Sequence, residues 1–104
     1  AYVEERYRGA ALLMDTPLGS YLSKFAVTRQ AQGEGIGRDL WQAMLAEHPH
    51  LFWRARPDNP VRSFYERTCD GRMRAGEWVV YSIGIPPERF PEAIAYATAQ
   101  PLDF

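Results

Sequence analysis

The chain has 104 residues, which is the length of one small domain and leaves no room for two independent cores. Its 12 basic and 13 acidic residues give a formal net charge of -1, which argues against a nucleic-acid partner, since such partners require a strong basic excess. Cys69 is the single cysteine, and no apolar run approaches the roughly 20 residues of a membrane span. We therefore expect no intrachain disulfide, no membrane partner and a reducing compartment: the cytoplasm, or the mitochondrial matrix in a eukaryote.

The first half of the chain predicts two strands and a helix. Residues 7–14 are typical of a buried strand, which the turn residues 15–19 end. Residues 21–28 are rich in aromatic and β-branched side chains and predict a second strand. After a glycine cluster, apolar residues at helical spacing predict an amphipathic helix over 36–47, which Pro49 stops.

A third strand and a second helix follow. Residues 51–56 alternate so that Arg54 and Arg56 share one face of the strand. Asn59 followed by proline predicts a helix start, with Asn59 as the N-cap, and Asp70 followed by glycine ends that helix.

The last part of the chain predicts a fourth strand over 77–83 and a final helix over 91–99. The order β-β-α-β-α-β-α contains no internal repeat and indicates a single domain over residues 1–104. Because Ala1 opens directly in strand-like sequence and is not a methionine, we expect a fragment of a longer polypeptide.

The sharpest motif is the run Gln-Gly-Glu-Gly-Ile-Gly at residues 32–37, between a predicted strand and a predicted helix. Glycines there allow a ligand close to the backbone, and the N–H groups of the first helical turn form an anion site suited to a pyrophosphate. The alternative is a tight strand-to-helix turn that uses glycine for steric reasons alone. The Lys-Ser/Thr pair of a Walker loop and the acidic residue of a dinucleotide fingerprint are missing.

Strand, glycine loop and amphipathic helix together resemble the acetyl-CoA motif of the GCN5-related acetyltransferases. The segments YLSKFAV, FWRAR and NPVRSFYERTCDG, with the Trp-bearing last strand, resemble the acetyltransferase domain of N-acetylglutamate synthases. In particular they resemble the vertebrate-like type, which is often fused behind an amino-acid kinase domain, so the resemblance implies such a kinase domain in the same chain. The resemblance covers residues 10–104 and implies an α/β (α+β) fold with a mixed central sheet flanked by helices, lacking the N-terminal part of the fold.

The same resemblance implies transfer of the acetyl group of acetyl-CoA to the amino group of L-glutamate, without a metal. Pantetheine would lie between the splayed second and third strands, and the pyrophosphate would lie at the glycine loop. The residues implied to contact the cosubstrate are Phe25, Ala26, Val27, Gln32, Gly33, Glu34, Gly35, Ile36, Gly37 and Arg38.

Glutamate carries two carboxylates, so its site needs at least two cations or strong donors. Arginine suits bidentate carboxylate binding, and Arg54 and Arg56 are predicted on one strand face. The alternative is that these arginines pair with surface acids such as Glu47 or Asp58. The resemblance assigns the substrate contacts to Lys24, Phe25, Arg54, Arg56 and Asn59.

Tyr65 is the candidate catalytic residue, because the superfamily commonly places a tyrosine near the thioester sulfur. Its phenol can hydrogen-bond and protonate a departing thiolate. The alternative is that Tyr65 packs with Val61 and Phe64 in the core. No general base stands out: His48 and His50 are predicted at the surface.

Two other functions stay open at this point. The first alternative to glutamate acetylation is an acetyltransferase for another acidic amine. The second is a regulatory module of an acetylglutamate kinase, which binds ligands without acetylating anything. Because the missing strands would leave a sheet edge exposed, we also expect a homo-oligomer or a larger parent chain.

Overall fold

The structure, a computed structural model, describes residues 2–3, 9–27 and 36–101, with the side chains of 11–23 and 38–101. The described strands are β1 (Tyr2–Val3), β2 (Gly9–Thr16), β3 (Gly19–Val27), β4 (Leu51–Ala55), β5 (Gly71–Ala75) and β6 (Trp78–Ile83). The described α-helices are α1 (Ile36–Glu47), α2 (Arg62–Thr68) and α3 (Phe90–Thr98), and a 3-10 turn over Pro87–Arg89 leads into α3.

The six described strands form one sheet in the order β1-β2-β3-β4-β6-β5. Strands β3 and β4 run parallel, and every other described neighbouring pair is antiparallel. The parallel pair needs a crossover connection, and α1 lies within it. The predicted mixed sheet flanked by helices is confirmed.

Helices α1 and α2 cover one face of the sheet. Trp41 and Met44 of α1 and Tyr65 of α2 are buried against Trp53 of β4 and Tyr81 of β6. Aromatic rings dominate this contact, with the Trp41 and Trp53 rings edge to face at 5.1 Å. The regularly spaced apolar residues that predicted α1 therefore lie on its buried face.

Helix α3 covers the opposite face. Its small residues Ala93 and Ala97 are fully buried, which lets the helix lie close to Phe52 of β4 and Val80 of β6. Alternate residues of β4 thus enter two different cores, as the period of two along a strand requires.

Strands β1 and β5 were not predicted. β5 forms a hairpin with β6, closed at Gly76, whose positive φ of 62° suits a tight turn. The centre of β5 is Arg72, Met73 and Arg74, all exposed, so no apolar alternation marks it as a strand.

The predicted start of α2 was wrong by two residues. The Asn59 side-chain oxygen accepts a hydrogen bond from the backbone N–H of Val61 at 2.8 Å, but the helix begins only at Arg62. Asn59 therefore stabilises the turn before the helix and is not its N-cap.

Candidate active site

The site begins where β3 and β4 part. Their parallel pairing comprises Ser20 with Leu51 and Tyr21 with Phe52, although both strands continue beyond these pairs. A register shift on the β2 side leaves Ser23 as an extra residue in β3. Such a bulge bends a strand, and it lies just beyond the last residue of β3 that pairs with β4.

A cavity of about 350 Å³ lies at this opening. It reaches residues on both sides of the sheet, from Tyr65 of α2 on one side to Gln100 and Pro101, which follow α3, on the other. Its described lining is Met14, Tyr21, Leu22, Ser23, Trp53, Arg54, Ala55, Arg56, Asn59, Tyr65, Trp78, Gln100 and Pro101.

Arg54 is engaged with the chain that follows α3. Its Nη1 donates to the carbonyl oxygens of Ala97 and Gln100, both at 3.0 Å, and its Nη2 donates to that of Pro101 at 2.8 Å. A cation at these carbonyls complements the helix dipole as well as their lone pairs. Because Gln100 and Pro101 line the cavity, Arg54 fixes one of its walls.

Arg56 lines the cavity and forms an ion pair with a side-chain carboxylate. Its Nη1 lies 2.8 Å from Oε2 of Glu77, and both side chains are largely exposed. The Cζ atoms of Arg54 and Arg56 lie 4.0 and 4.3 Å from the centre of the Trp78 ring, so both cations lie over the indole. The two arginines therefore adjoin one ring, as their shared strand face predicted. Arg56 therefore pairs with a surface acid, as the alternative predicted, although that acid is Glu77, which was not one of the two examples.

Asn59 adds a neutral donor to the lining. Its side-chain oxygen accepts from Val61, so the turn fixes the amide plane. An amide nitrogen held in this way can donate to a ligand carboxylate.

Tyr65 lines the cavity and is also part of the core. It is 6% exposed, and its ring contacts those of Trp53 and Tyr81 at centroid distances of 5.3 and 5.4 Å. Burial, and secondarily the neighbouring Tyr81, raise the pKa of Tyr65 to about 12. Tyr65 therefore packs in the core with Val61 and Phe64, as the alternative reading of the sequence predicted. The same residue also lines the cavity.

Most of the predicted cosubstrate residues have no described surroundings. Gln32, Gly33, Glu34 and Gly35 lie outside the described residues. The backbone of β3 pairs with β2 at Lys24, Phe25, Ala26 and Val27, and the backbone of Ile36 and Gly37 opens α1 at the predicted position. Arg38 is exposed on the first turn of that helix.

The histidines and the cysteine lie away from the cavity lining. His48 is half-buried, and its Nδ1 lies 2.7 Å from the Ser20 hydroxyl, so its predicted surface position was wrong. His50 is exposed, as predicted. Burial raises the pKa of the Cys69 thiol, which makes it a poor nucleophile at neutral pH.

Sequence reasoning missed Trp78 and the wall formed by Gln100 and Pro101. The sequence marks Trp78 only as a tryptophan in the last strand, because its position beside both arginines depends on the register of β4 with β6. In the part of the chain that the structure describes, no group of three or more His, Cys, Asp or Glu side chains could hold a metal ion. Within the same residues, no helix is long and apolar enough to cross a membrane.

The fold and the opened strand pair define a GCN5-related acetyltransferase fold. A solved structure from Desulfovibrio desulfuricans, assigned to the GNAT family of acetyltransferases, superposes with a TM-score of 0.60 at 24% identity. The superposition covers 79% of this chain and 64% of that one. At this identity the likeness concerns the fold.

The sequence comparisons define the family more narrowly than the fold does. Residues 1–99 match the family model described as the N-acetyltransferase of N-acetylglutamate synthase, and the chain belongs to that family of acetyltransferase domains. An acetylglutamate kinase from Xanthomonas campestris is 44% identical over 97% of this chain. Mitochondrial N-acetylglutamate synthases from Danio rerio and Homo sapiens are 35% and 38% identical over 99% and 81% of it. The chain spans 25%, 20% and 16% of the lengths of these three relatives.

Proposed function

We propose that this domain transfers the acetyl group of acetyl-CoA to the amino group of L-glutamate. The observation that carries the proposal is the cavity between β3 and β4, which combines a strand gap, two arginines and a buried tyrosine in a chain of this family. Starting from the neutral amine, the reaction forms a C–N bond, breaks the C–S bond of the thioester, releases CoA and removes one proton from nitrogen.

The strand gap supports a site for the pantetheine arm. The described ladder between β3 and β4 ends at Tyr21 and Phe52, so the facing backbone groups beyond it can bond an extended amide-bearing ligand as an added strand would. We propose that residues 25–27 make these contacts. The loop residues 32–35 and the first turn of α1, with Ile36, Gly37 and Arg38, would then hold the pyrophosphate.

The described polar groups of the lining support an acidic substrate. Arg56 and Asn59 present donors at the cavity, and the described lining includes no Asp or Glu. We propose that Arg56, Asn59 and Lys24 bind the carboxylates of glutamate and that Phe25 packs beside the substrate. Arg54 contributes its positive charge and, through its three carbonyl contacts, the position of the wall.

Tyr65 would act on the leaving group. A phenol with a pKa of about 12 stays protonated at neutral pH, so it serves as a hydrogen-bond donor and not as a base. Because an alkyl thiol ionises near pH 8.5, the thiolate would accept this hydrogen bond without taking the phenolic proton completely. The proposed role of Tyr65 is therefore hydrogen-bond donation, in place of the proton donation expected from the sequence. The proton lost by nitrogen therefore restores neutrality on the CoA sulfur or leaves to solvent.

A second function is favoured by one comparison. The kinase name of the Xanthomonas relative, at 44% identity, fits a regulatory acetyltransferase-like domain in a chain that also contains an amino-acid kinase domain. We propose such a kinase domain in the same chain under either function, together with assembly of several copies. The proposed compartment is the cytoplasm, or the mitochondrial matrix in a eukaryote.

One experiment tests the main proposal and separates the alternatives. CoA release is measured with the intact native chain, acetyl-CoA and a panel of amines: glutamate, glutamine, aspartate and a neutral amino acid. We expect release with glutamate well above the others. Release with a different acidic amine would change the substrate, and no release with any amine, despite binding of CoA, would favour the regulatory module.

A further inference from the structure

Glu77 borders the cavity without lining it. It precedes β6 in the hairpin turn, and its Oε2 reaches Nη1 of Arg56 at 2.8 Å. Glu77 is 60% exposed and Arg56 is 45% exposed, so solvent reaches both partners of the ion pair. In the described structure the charge of Arg56 is thus already matched by a carboxylate of the same chain.

The two arginines differ in what a ligand could replace. Arg54 bonds three backbone carbonyls that are themselves part of the cavity wall, so replacing those contacts would move the wall. The described ion-pair partner of Arg56 is instead a side-chain carboxylate, which can rotate away without moving the backbone. Its stacking on Trp78, at 4.3 Å, can persist when that carboxylate leaves.

We propose that Glu77 is a positioning residue that pairs with Arg56 before the substrate binds and is then exchanged for a carboxylate of the acidic substrate. The inference rests on the proposed function. An exposed ion pair of this kind contributes little to stability, so exchanging Glu77 for another carboxylate requires little free energy. Glu77 then holds the guanidinium over Trp78 before binding, and it weakens substrate binding by competing for the same donors.

The test is Glu77→Gln in the intact native chain. Glutamine keeps an oxygen that can accept from Arg56 but removes the competing charge. We expect the KM for glutamate to fall about two- to fivefold, the range set by an exposed ion pair, with kcat and the KM for acetyl-CoA unchanged. An unchanged or higher KM for glutamate, or equal changes in both KM values, overturns the proposal.

Two controls make the effect specific. Glu92→Gln removes the same charge from another exposed pair, Glu92 with Arg89 at 3.3 Å, and should leave the KM for glutamate unchanged. In an Arg56→Ala background, Glu77→Gln should have no further effect on KM. If it lowers KM equally there, Glu77 acts by general repulsion and not through Arg56, and the proposal is wrong.

Binding of glutarate distinguishes this proposal from the proposed function. Glutarate has two carboxylates and no amine, and calorimetry at constant ionic strength reports its affinity without catalysis. Tighter glutarate binding by Glu77→Gln supports the exchange even if the intact chain acetylates no amino acid. Unchanged glutarate affinity in a chain that does acetylate glutamate overturns the role of Glu77 alone.

Discussion

Tyr65 combines two roles that a single substitution can separate. Its ring lies among Trp53, Phe64 and Tyr81, while the residue also lines the cavity. Packing depends on the ring, whereas the proposed chemistry depends on the hydroxyl. The sequence placed Tyr65 correctly on a helix that follows the arginine strand, but only the fold shows that core and cavity meet at this side chain.

Tyr65→Phe should lower kcat by roughly 10²–10³-fold, the usual effect of removing a donor that stabilises developing charge. Both KM values should change little, because the interaction strengthens in the transition state. Steady-state kinetics of the intact chain measure this. Tyr96→Phe is the matched control, since Tyr96 packs on the other core around Phe52 and should leave kcat unchanged. A near-normal kcat for Tyr65→Phe would remove the hydroxyl from the mechanism.

The two strand arginines should respond differently to alanine. Arg56→Ala removes a proposed carboxylate contact and should raise the KM for glutamate by a factor that corresponds to about 1.5–3 kcal/mol, with little change in Tm. Arg54→Ala removes three bonds to carbonyls after α3 and should lower Tm as well as weaken glutamate binding. Kinetics and thermal denaturation together check this. Equal effects of the two substitutions on Tm would contradict it.

At the level of elements, apolar periodicity succeeded where one face of an element is buried. The predicted bounds of α1 match Ile36–Glu47 because Trp41 and Met44 recur at the helical period and both are buried. β5 could not be found in this way, since its exposed central residues carry no pattern and its pairing with β6 supplies its stability. Arg54 shows the same limit at the site, because its carbonyl partners lie 43 to 47 residues away.

The turn after β6 carries a sharp steric demand. Gly84 has φ of +70°, and a Cβ there would clash with the carbonyl oxygen of Pro49. We expect Gly84→Ala to lose about 1 kcal/mol from the left-handed backbone and about 1–3 kcal/mol more from crowding. Denaturant unfolding of the intact chain measures the loss.

Gly76→Ala is the control for this substitution. Gly76 has a similar φ of +62°, but among the described residues no atom beyond its own chain neighbours lies within 4 Å of the place that a Cβ would take. Gly76→Ala therefore isolates the backbone contribution of about 1 kcal/mol. Equal destabilisation by the two substitutions would show that the backbone at Pro49 shifts to accept the new Cβ with no loss of free energy of unfolding.

For the molecule as a whole, the buried tyrosines predict loss of stability in alkali. The pKa of Tyr65 rises from 10.0 in the unfolded reference to about 12, and burial also raises the pKa of Tyr81. Because the folded state favours the protonated phenol of Tyr65, its stabilising effect is complete below pH 10 and is lost as pH rises toward 12, and Tyr81 acts in the same direction. Each pKa unit corresponds to about 1.4 kcal/mol, so Tyr65 accounts for about 2–3 kcal/mol at the limit.

The measurement is the free energy of unfolding as a function of pH, by denaturant titration between about pH 9 and 11.5. Tyr65→Phe should flatten the alkaline part of this curve. An unaltered slope for Tyr65→Phe would mean that the phenol ionises equally well in both states.

The short ladder between β3 and β4 has a mechanical consequence. Two residue pairs, with the Ser20 N–H bonded to the His50 carbonyl at 2.8 Å, are the described backbone link between the β1-β2-β3 ribbon and the β4-β6-β5 ribbon. Because this backbone link is short, we expect the two ribbons to move relative to each other more readily than the strands within either ribbon, which keep their own hydrogen bonds. A ligand bound between the unpaired parts of β3 and β4 would hold the two ribbons together. Ligand binding and the rigidity of the sheet would then be thermodynamically coupled.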